Sequence, residues 1–346
     1  MANDVPAGIN AASVDAWLEA NVAGATGPFH YTLIAGGHSN LTFRVDDSAG
    51  HRYVLRRPPL SHALASAHDM GREHRLISAL ATSDVPVAPA LGLCTDTSVN
   101  DAPFYVMDFV AGHVVRDNAT ALEVLTPATR RRASLSLVET MAAIHAVDLD
   151  AVGLADLGRH DGYIERQLKR WYGQWNASKT RELGAIDRVH DALSTRIPTQ
   201  GPATIVHGDY RLDNCMVNDE GNVIAVLDWE LCTLGDPMAD LGLLMVYWTG
   251  PHDEPSTSSF APTTTEGFLD RAELAAHYAK VSGRDVSQLD YYVSFAYWKL
   301  ACIIEGVYAR YVAGAMGTHD PSSFAAFATQ VEAAAQRAEE VLARLH

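Results

Sequence analysis

One stretch constrains this chain more than any other: His207-Gly208-Asp209-Tyr210-Arg211-Leu212-Asp213-Asn214. It is the densest polar cluster in the sequence, yet apolar segments flank it on both sides. Thr204-Ile205-Val206 leads in and Cys215-Met216-Val217 leads out. A second apolar run, Val223-Ile224-Ala225-Val226-Leu227, ends in Asp228-Trp229-Glu230, and the two are joined by a turn over residues 218–222. Short buried strands around such a turn would bring their outer ends together. Asn214 is then expected near Asp228, with Asp209 on a loop beside them.

Those residue types in that order suit a divalent cation and a hydroxyl nucleophile. A hydroxyl that attacks a phosphoryl group must lose a proton, and Asp209 is the carboxylate placed to accept it. Magnesium prefers hard oxygen ligands and keeps several waters. One carboxylate from Asp228 and one amide oxygen from Asn214 would leave room for phosphate oxygens. Arg211, two residues past the candidate base, can neutralise charge on a transferring phosphoryl.

The order H-x-D-x-x-x-x-N, then an apolar strand and an Asp, resembles the catalytic loop and metal-binding segment of protein-kinase-like enzymes. Gly208, where a protein kinase carries Arg, and Asp228-Trp229 in place of Asp-Phe-Gly resemble the aminoglycoside phosphotransferase family. So does Gly235-Asp236-Pro237-Met238-Ala239-Asp240-Leu241. Within that family the runs 226–242 and 301–310 look like the branch of kinase-like domains attached to some acyl-CoA dehydrogenases. The resemblance covers most of the chain and is weakest over the first thirty residues.

It implies an α+β, two-lobed protein-kinase-like fold. Residues 1–108 form a β-rich nucleotide-binding lobe, 109–112 a hinge, and 113–346 a mainly helical lobe for catalysis and acceptor binding. It also implies ATP or GTP as donor, with Mg2+. Gly36-Gly37-His38-Ser39-Asn40 matches the turn that covers the phosphates, where small residues let backbone N–H groups approach. Arg56, at the end of a third strand, takes the place of the cation on the α- and β-phosphates, with Arg57 as its rival. Glu73 on the following helix matches its acidic partner. Met107-Asp108-Phe109-Val110 matches the hinge that holds an adenine, through the backbone of Asp108 and Val110.

Composition narrows the partners. Lys and Arg total 26 against 42 Asp and Glu, a formal net charge of −16. A chain this acidic is not expected to grip nucleic acid through a broad basic surface. A few arginines and a magnesium ion can still set the field around a nucleotide. Cys94, Cys215, Cys232 and Cys302 form no CxxC pair, so free thiols are expected. No window reaches the ~18 consecutive apolar residues of a membrane span, and the Met1-Ala2-Asn3-Asp4 start has no basic, apolar leader pattern. A cytoplasmic location without membrane partners is expected.

The walk along the chain predicts a helix over 10–23 capped by Ser13, strands at 31–34, 41–45, 52–56, 91–94 and 104–110, and a helix over 66–81. Later helices are predicted at 128–147, 160–178, 239–248, 268–281, 287–314 and 322–345, with a loop from Pro251 to Thr265. His207 reads as an orienting group, Asp213 as solvent-facing or a turn former, and His145 as a cap or core residue. Asp236 reads as a turn former and Asp240 as an anchor for the catalytic-loop backbone. Tyr163, Trp171 and Trp175 at helical spacing fit either a core or an acceptor pocket. The acceptor is a small-molecule hydroxyl. The family name suggests an aminoglycoside, and the nearer branch a hydroxyacyl-CoA or hydroxy acid. A catalytically silent nucleotide- or acyl-CoA-binding module and a metal-dependent hydrolase are the rival readings.

Overall fold

The computed structural model describes residues 5–36, 40–60, 69–251, 253, 261–314 and 324–345. Two compact units emerge. The first comprises residues 1–112, 150–154 and 224–230; the second comprises 113–149, 155–223 and 231–346.

The first unit is built on an antiparallel sheet of five strands: β1 (His30–Gly36), β2 (Leu41–Asp46), β3 (Arg52–Arg57), β4 (Ala90–Cys94) and β5 (Phe104–Asp108), in the order β1-β2-β3-β5-β4. Alternation along β3 decides its two arginines. In β3, Tyr53, Leu55 and Arg57 point to one face and Val54 and Arg56 to the other. Arg57 is buried on the first face, where Nη1 donates to the carbonyls of Gly8 (2.6 Å) and Asn100 (3.1 Å). Helix α1 (Ala11–Asn21) sets Val14 and Leu18 into a core with Phe43, Val45, Leu55, Phe104 and Val106. Burying each of these large apolar side chains contributes about 1.5–3 kcal/mol. Asn10, not Ser13, precedes the first turn of α1; the Ser13 hydroxyl instead donates to the Val99 carbonyl at 2.7 Å.

Helix α2 (Met70–Leu80) opens on Asp69, whose carboxylate accepts from the Arg72 amide at 2.9 Å and satisfies one orphan donor of the first turn. Its buried positions, Met70, Glu73, Leu76, Ile77 and Leu80, follow helical spacing. One of them is a carboxylate. The short helix α3 (Thr97–Asn100) links β4 to β5. The stretch from Ile224 belongs to this unit as well; the Val226 amide donates to the Pro86 carbonyl at 2.8 Å.

The second unit is mainly helical. It holds α4 (Asn118–Val124), α5 (Pro127–His145), α6 (Tyr163–Ser178), α7 (Gly184–Ser194), α8 (Met238–Tyr247), α9 (Arg271–Ser282), α10 (Leu289–Val312) and α11 (Ala325–Leu342). Helix α5 begins with Pro127 behind a Thr126–Thr129 capping box. Helix α10 packs against α6, α7, α8 and α11, and α5 against α9. Gly242 on α8 permits one of those crossings, because a Cβ there would lie 2.7 Å from the Tyr292 backbone. Strand β6 (Thr204–Val206) pairs antiparallel with β9 (Thr233–Gly235), and β7 (Cys215–Val217) meets His113 through an isolated bridge. The strand β8 (Val223–Val226) begins here and continues into the first unit.

The β-rich start and the helical remainder agree with the expected fold class. Helices α3, α4 and α7 were not predicted. No described helix is long and apolar enough to cross a membrane. All four cysteines are buried, and none is part of a disulfide.

Candidate active site

In the first unit, Arg56 gathers a cluster of carboxylates. Its Nη2 donates to Asp228 Oδ1 at 2.5 Å and lies 3.8 Å from Glu230 Oε2, and its Nε lies 3.1 Å from Glu73 Oε2. The Tyr105 hydroxyl donates to Glu73 Oε2 at 2.9 Å, and the Asn40 amide donates to both Glu73 and Glu230 at 3.2 Å. Glu73 is only 3% exposed, so it is not a solvated charge on a helix face. Burial pushes its carboxyl above the ordinary range; Arg56 and Tyr105 oppose that and Asp228 adds to it. Burial would lower the Arg56 guanidinium, but Glu73, Tyr105 and Asp228 more than reverse this, so it stays protonated.

One guanidinium thus faces three carboxylates. The local charge is negative, though among the described residues no group of three or more His, Cys, Asp or Glu side chains is arranged to hold a metal ion by itself. Asp228 also has a left-handed backbone, φ +59°, a conformation that few residues other than Gly and Asn or Asp adopt. Such strain persists only where surrounding structure enforces it, and it clusters at functional sites. Arg56 Nε is buried yet makes no hydrogen bond with a described residue, because Glu73 lies off the N–H direction. An open, buried cationic donor of this kind fits a phosphate oxygen. At the end of β5, Asp108 donates its amide to the Pro89 carbonyl, while the Val110 amide has no backbone partner among the described residues. Gly36 closes β1 opposite Leu41. Gly37, His38 and Ser39 lie outside the described residues.

In the second unit, the loop after β6 carries Asp209. Its carboxylate accepts from the Asn214 amide at 3.0 Å, and the same amide donates to the Asp209 carbonyl at 2.8 Å. No described donor meets the Asn214 side-chain oxygen, which leaves it a hard ligand of the kind magnesium takes. Arg211 Nε lies 3.6 Å from Asp209, and Arg211 Nη2 lies 2.9 Å from Asp213. Asp213 is therefore an ion-pair partner in the middle of the 3-10 turn Leu212–Asn214, and only 28% of its side chain is exposed. Burial raises the Asp209 carboxyl above its ordinary value; Arg211, His207 and Asn214 pull the other way. A general base gains strength as its pKa climbs toward the working pH.

The loop is anchored from beneath. Asp240 on α8 accepts from the amides of His207 (2.7 Å) and Gly208 (2.9 Å). Its Oδ2 also accepts from His145 Nε2 at 3.3 Å, and His145 Nδ1 meets the Tyr278 hydroxyl at 2.8 Å. Burial alone would raise Asp240, but the hydrogen bond and charge of His145, with His207 and the Gly208 amide, hold it below the usual carboxylate range. The Asp209 amide donates to His207 Nδ1 at 3.3 Å. His207 is fully buried and acts as an orienting group. Asp236 accepts from the Met238 amide at 3.0 Å and the Tyr292 hydroxyl at 2.6 Å, which fixes the start of α8.

Several residues here escaped the sequence reading. Glu230 and Tyr105 complete the Arg56 cluster. The Tyr247 ring lies 4.9 Å from the Arg211 guanidinium, and burial and the charge of Asp209 push its hydroxyl pKa up. Lys299 lines a small cavity with Gly208, Asp240 and Tyr163, with its ammonium 5.7 Å from the Trp171 ring. Burial pushes it below the ordinary lysine value, against the pull of Asp240 and Asp209. A signal for Lys299 existed: it is the one cation in the otherwise apolar run 291–304. Tyr163 and Trp175 are buried core side chains, whereas Trp171 is half-buried.

The Phosphotransferase enzyme family (APH) matches residues 30–283. Mouse acyl-CoA dehydrogenase family member 10 is 35% identical over 293 residues, 84% of this chain and 27% of that protein. Human acyl-CoA dehydrogenase family member 11 is 32% identical over 321 residues, 90% of this chain and 41% of that protein. The chain thus spans less than half the length of these curated relatives. The crystal structure of a putative aminoglycoside phosphotransferase from Ralstonia eutropha JMP134 is 34% identical, with a TM-score of 0.82 over 96% of this chain and 98% of that one. Aminoglycoside phosphotransferase APH(4)-Ia, solved with AMP-PNP and hygromycin B, shares the fold at 16% identity, with a TM-score of 0.59 over 96% of this chain and 98% of that one. The chain therefore belongs to the APH phosphotransferase enzyme family and has its protein-kinase-like fold.

Proposed function

We propose that this kinase moves the γ-phosphoryl group of ATP or GTP, as its magnesium complex, to a hydroxyl of a hydroxyacyl-CoA or related hydroxy acid. One observation carries the reading: Asp209 is a carboxylate raised by burial, held by Asn214 beside Arg211, on a loop fixed by Asp240. That is the arrangement of a general base for a hydroxyl nucleophile. The acceptor oxygen bonds to the γ-phosphorus as the bond to the β-phosphate oxygen breaks. The nucleoside diphosphate departs, and the hydroxyl proton passes to Asp209.

Residues 1–108 would bind the nucleotide, 109–112 would meet its base through the Asp108 and Val110 backbone, and 113–346 would hold the acceptor. Arg56, paired with Glu73, would take the α- and β-phosphates under the 36–40 turn. Asn214 and Asp228 would hold magnesium, which when bound neutralises phosphate charge. Arg211 would steady the transferring group. Phosphoryl transfer asks mainly for such positioning and electrostatics. Four buried cysteines outside any disulfide suit a reducing compartment, and a cytoplasmic location is proposed.

The acceptor class is supported by the two acyl-CoA dehydrogenase family relatives, and an aminoglycoside is the second reading, supported by the name of the Ralstonia protein. An ATP-consumption assay that offers hydroxyacyl-CoAs and aminoglycosides side by side separates them. Turnover with hydroxyacyl-CoAs that Asp209→Ala abolishes is the expected result. Nucleotide binding without transfer to either class would instead favour a silent binding module.

A further inference from the structure

A cavity of about 90 Å³ lies in the second unit, lined in part by Arg116, Arg211, Asp213, Tyr247, Trp248 and Thr263. A single water needs only about 10–15 Å³ of such space, so a carboxylate- or phosphate-sized group fits. Its lining carries two guanidiniums and one carboxylate, unusual for so acidic a chain, with Arg211 shared between Asp213 and Asp209 and Arg116 left as the second cation. That carboxylate, Asp213, is already matched by Arg211 at 2.9 Å. Arg116 is exposed, and no described carboxylate lies within ion-pair distance of it. Arg211 is held in place by Asp213 and by the Tyr247 ring, 4.9 Å from its guanidinium. Arg211 Nε also lies 3.6 Å from Asp209. A group seated here is therefore one side chain away from the candidate base.

We propose that the Arg116–Arg211 cavity is an acceptor subsite for an oxyanion, a carboxylate or phosphate carried by the hydroxyl substrate. This rests on the phosphotransfer reading above and deepens it. The planar forks of two arginines suit an oxyanion better than they suit a polycation, which they would repel.

The test uses the full chain, as wild type and as Arg116→Ala and Arg116→Lys. Calorimetry measures binding of 4-hydroxybutyrate, its methyl ester and coenzyme A. Transfer is measured with 4-hydroxybutyrate, the ester and a 4-hydroxyacyl-CoA. We expect Arg116→Ala to weaken binding of at least one anion by tenfold or more, with Arg116→Lys in between. The matching anionic acceptor should lose its advantage over the ester by a similar factor. An effect confined to 4-hydroxybutyrate assigns a carboxylate, and one confined to coenzyme A assigns a phosphate. Equal binding by wild type and Arg116→Ala, or no anion binding by wild type, overturns the subsite even if transfer is intact. Arg116-dependent anion binding with no transfer to any acceptor would keep the subsite and overturn the kinase reading instead.

Discussion

Arg56 and Asp228 are 172 residues apart in the chain and 2.5 Å apart in space, Nη2 to Oδ1. Asp228 is the strained residue of the pair and Arg56 the buried one. The contact joins the end of β3 to the segment after β8 within one compact unit. It makes one cation responsible for three carboxylates, so the same guanidinium governs stability and, on the functional reading, phosphate binding.

Replacing Arg56 by Ala should therefore do more than remove a nucleotide contact. Glu73, 4% exposed at the side chain, would be left as an unpaired buried charge. Breaking a buried pair from one side costs about 3–5 kcal/mol. Thermal unfolding of Arg56→Ala should show that loss, and Glu73→Gln in the same background should recover part of it. An Arg56→Ala protein that melts with the wild type would mean that the cluster does not stabilise the unit.

Asp209→Asn is expected to separate activity from stability. Loss of the base should lower kcat by about 10²–10⁴. Stability should move the other way at neutral pH. A carboxyl raised in the folded state binds its proton more tightly there than in the unfolded chain. Its stabilising contribution is complete below the unfolded pKa and is lost as pH rises through the folded one. Asn removes that loss, so the difference in melting temperature in favour of Asp209→Asn should grow as pH rises above the ordinary carboxylate range of about 4. A variant with full turnover, or one whose advantage does not grow with pH, would contradict this assignment.

Much of this was legible in the sequence, and the exceptions have physical causes. The strand over 104–108 was plain because four successive buried positions leave an apolar run. Asp209, Asn214 and Asp228 were legible because polar residues between buried strands are costly and need a reason. Arg56 and Arg57 could not be told apart by type, only by the face of β3 that each occupies. Helix α7 hid because it starts at Gly184 with no side-chain cap. Ser13 misled because a hydroxyl that caps one helix can equally bond a distant carbonyl, here that of Val99. Tyr247 and Arg116 carry no local signal at all, since only tertiary packing brings them to Asp209 and Arg211.

Asp240 should make the catalytic loop acid-sensitive. Its folded pKa lies below the ordinary value, so its contribution is present above the unfolded pKa and is lost as pH falls through the folded one. Wild-type stability should drop below about pH 4, and Asp240→Asn should flatten that limb. Asp240→Ala would leave the His207 and Gly208 amides unpaired in a buried site, at about 1–3 kcal/mol each. Hydrogen exchange at those two amides would report it directly; unchanged protection would show that Asp240 does not hold the loop.

Gly208 gives the sharpest single test of loop geometry. Its φ is +86°, and a Cβ there would lie 2.9 Å from the Leu231 carbonyl oxygen and 3.1 Å from Leu231 Cβ. Ala must either strain the backbone, at about 1–2 kcal/mol, or push the 229–231 turn away. Gly208 lies next to the base, so the second route would shift Asp209 relative to Asn214. A misplacement of that order costs about 10²-fold in rate. Gly208→Ala is expected to lose kcat well beyond its loss of stability, whereas Gly283→Ala, at a left-handed helix end with open space around it, should lose stability alone. Equal kinetic losses in the two variants would show that the tight approach to Leu231 does not set the position of the base.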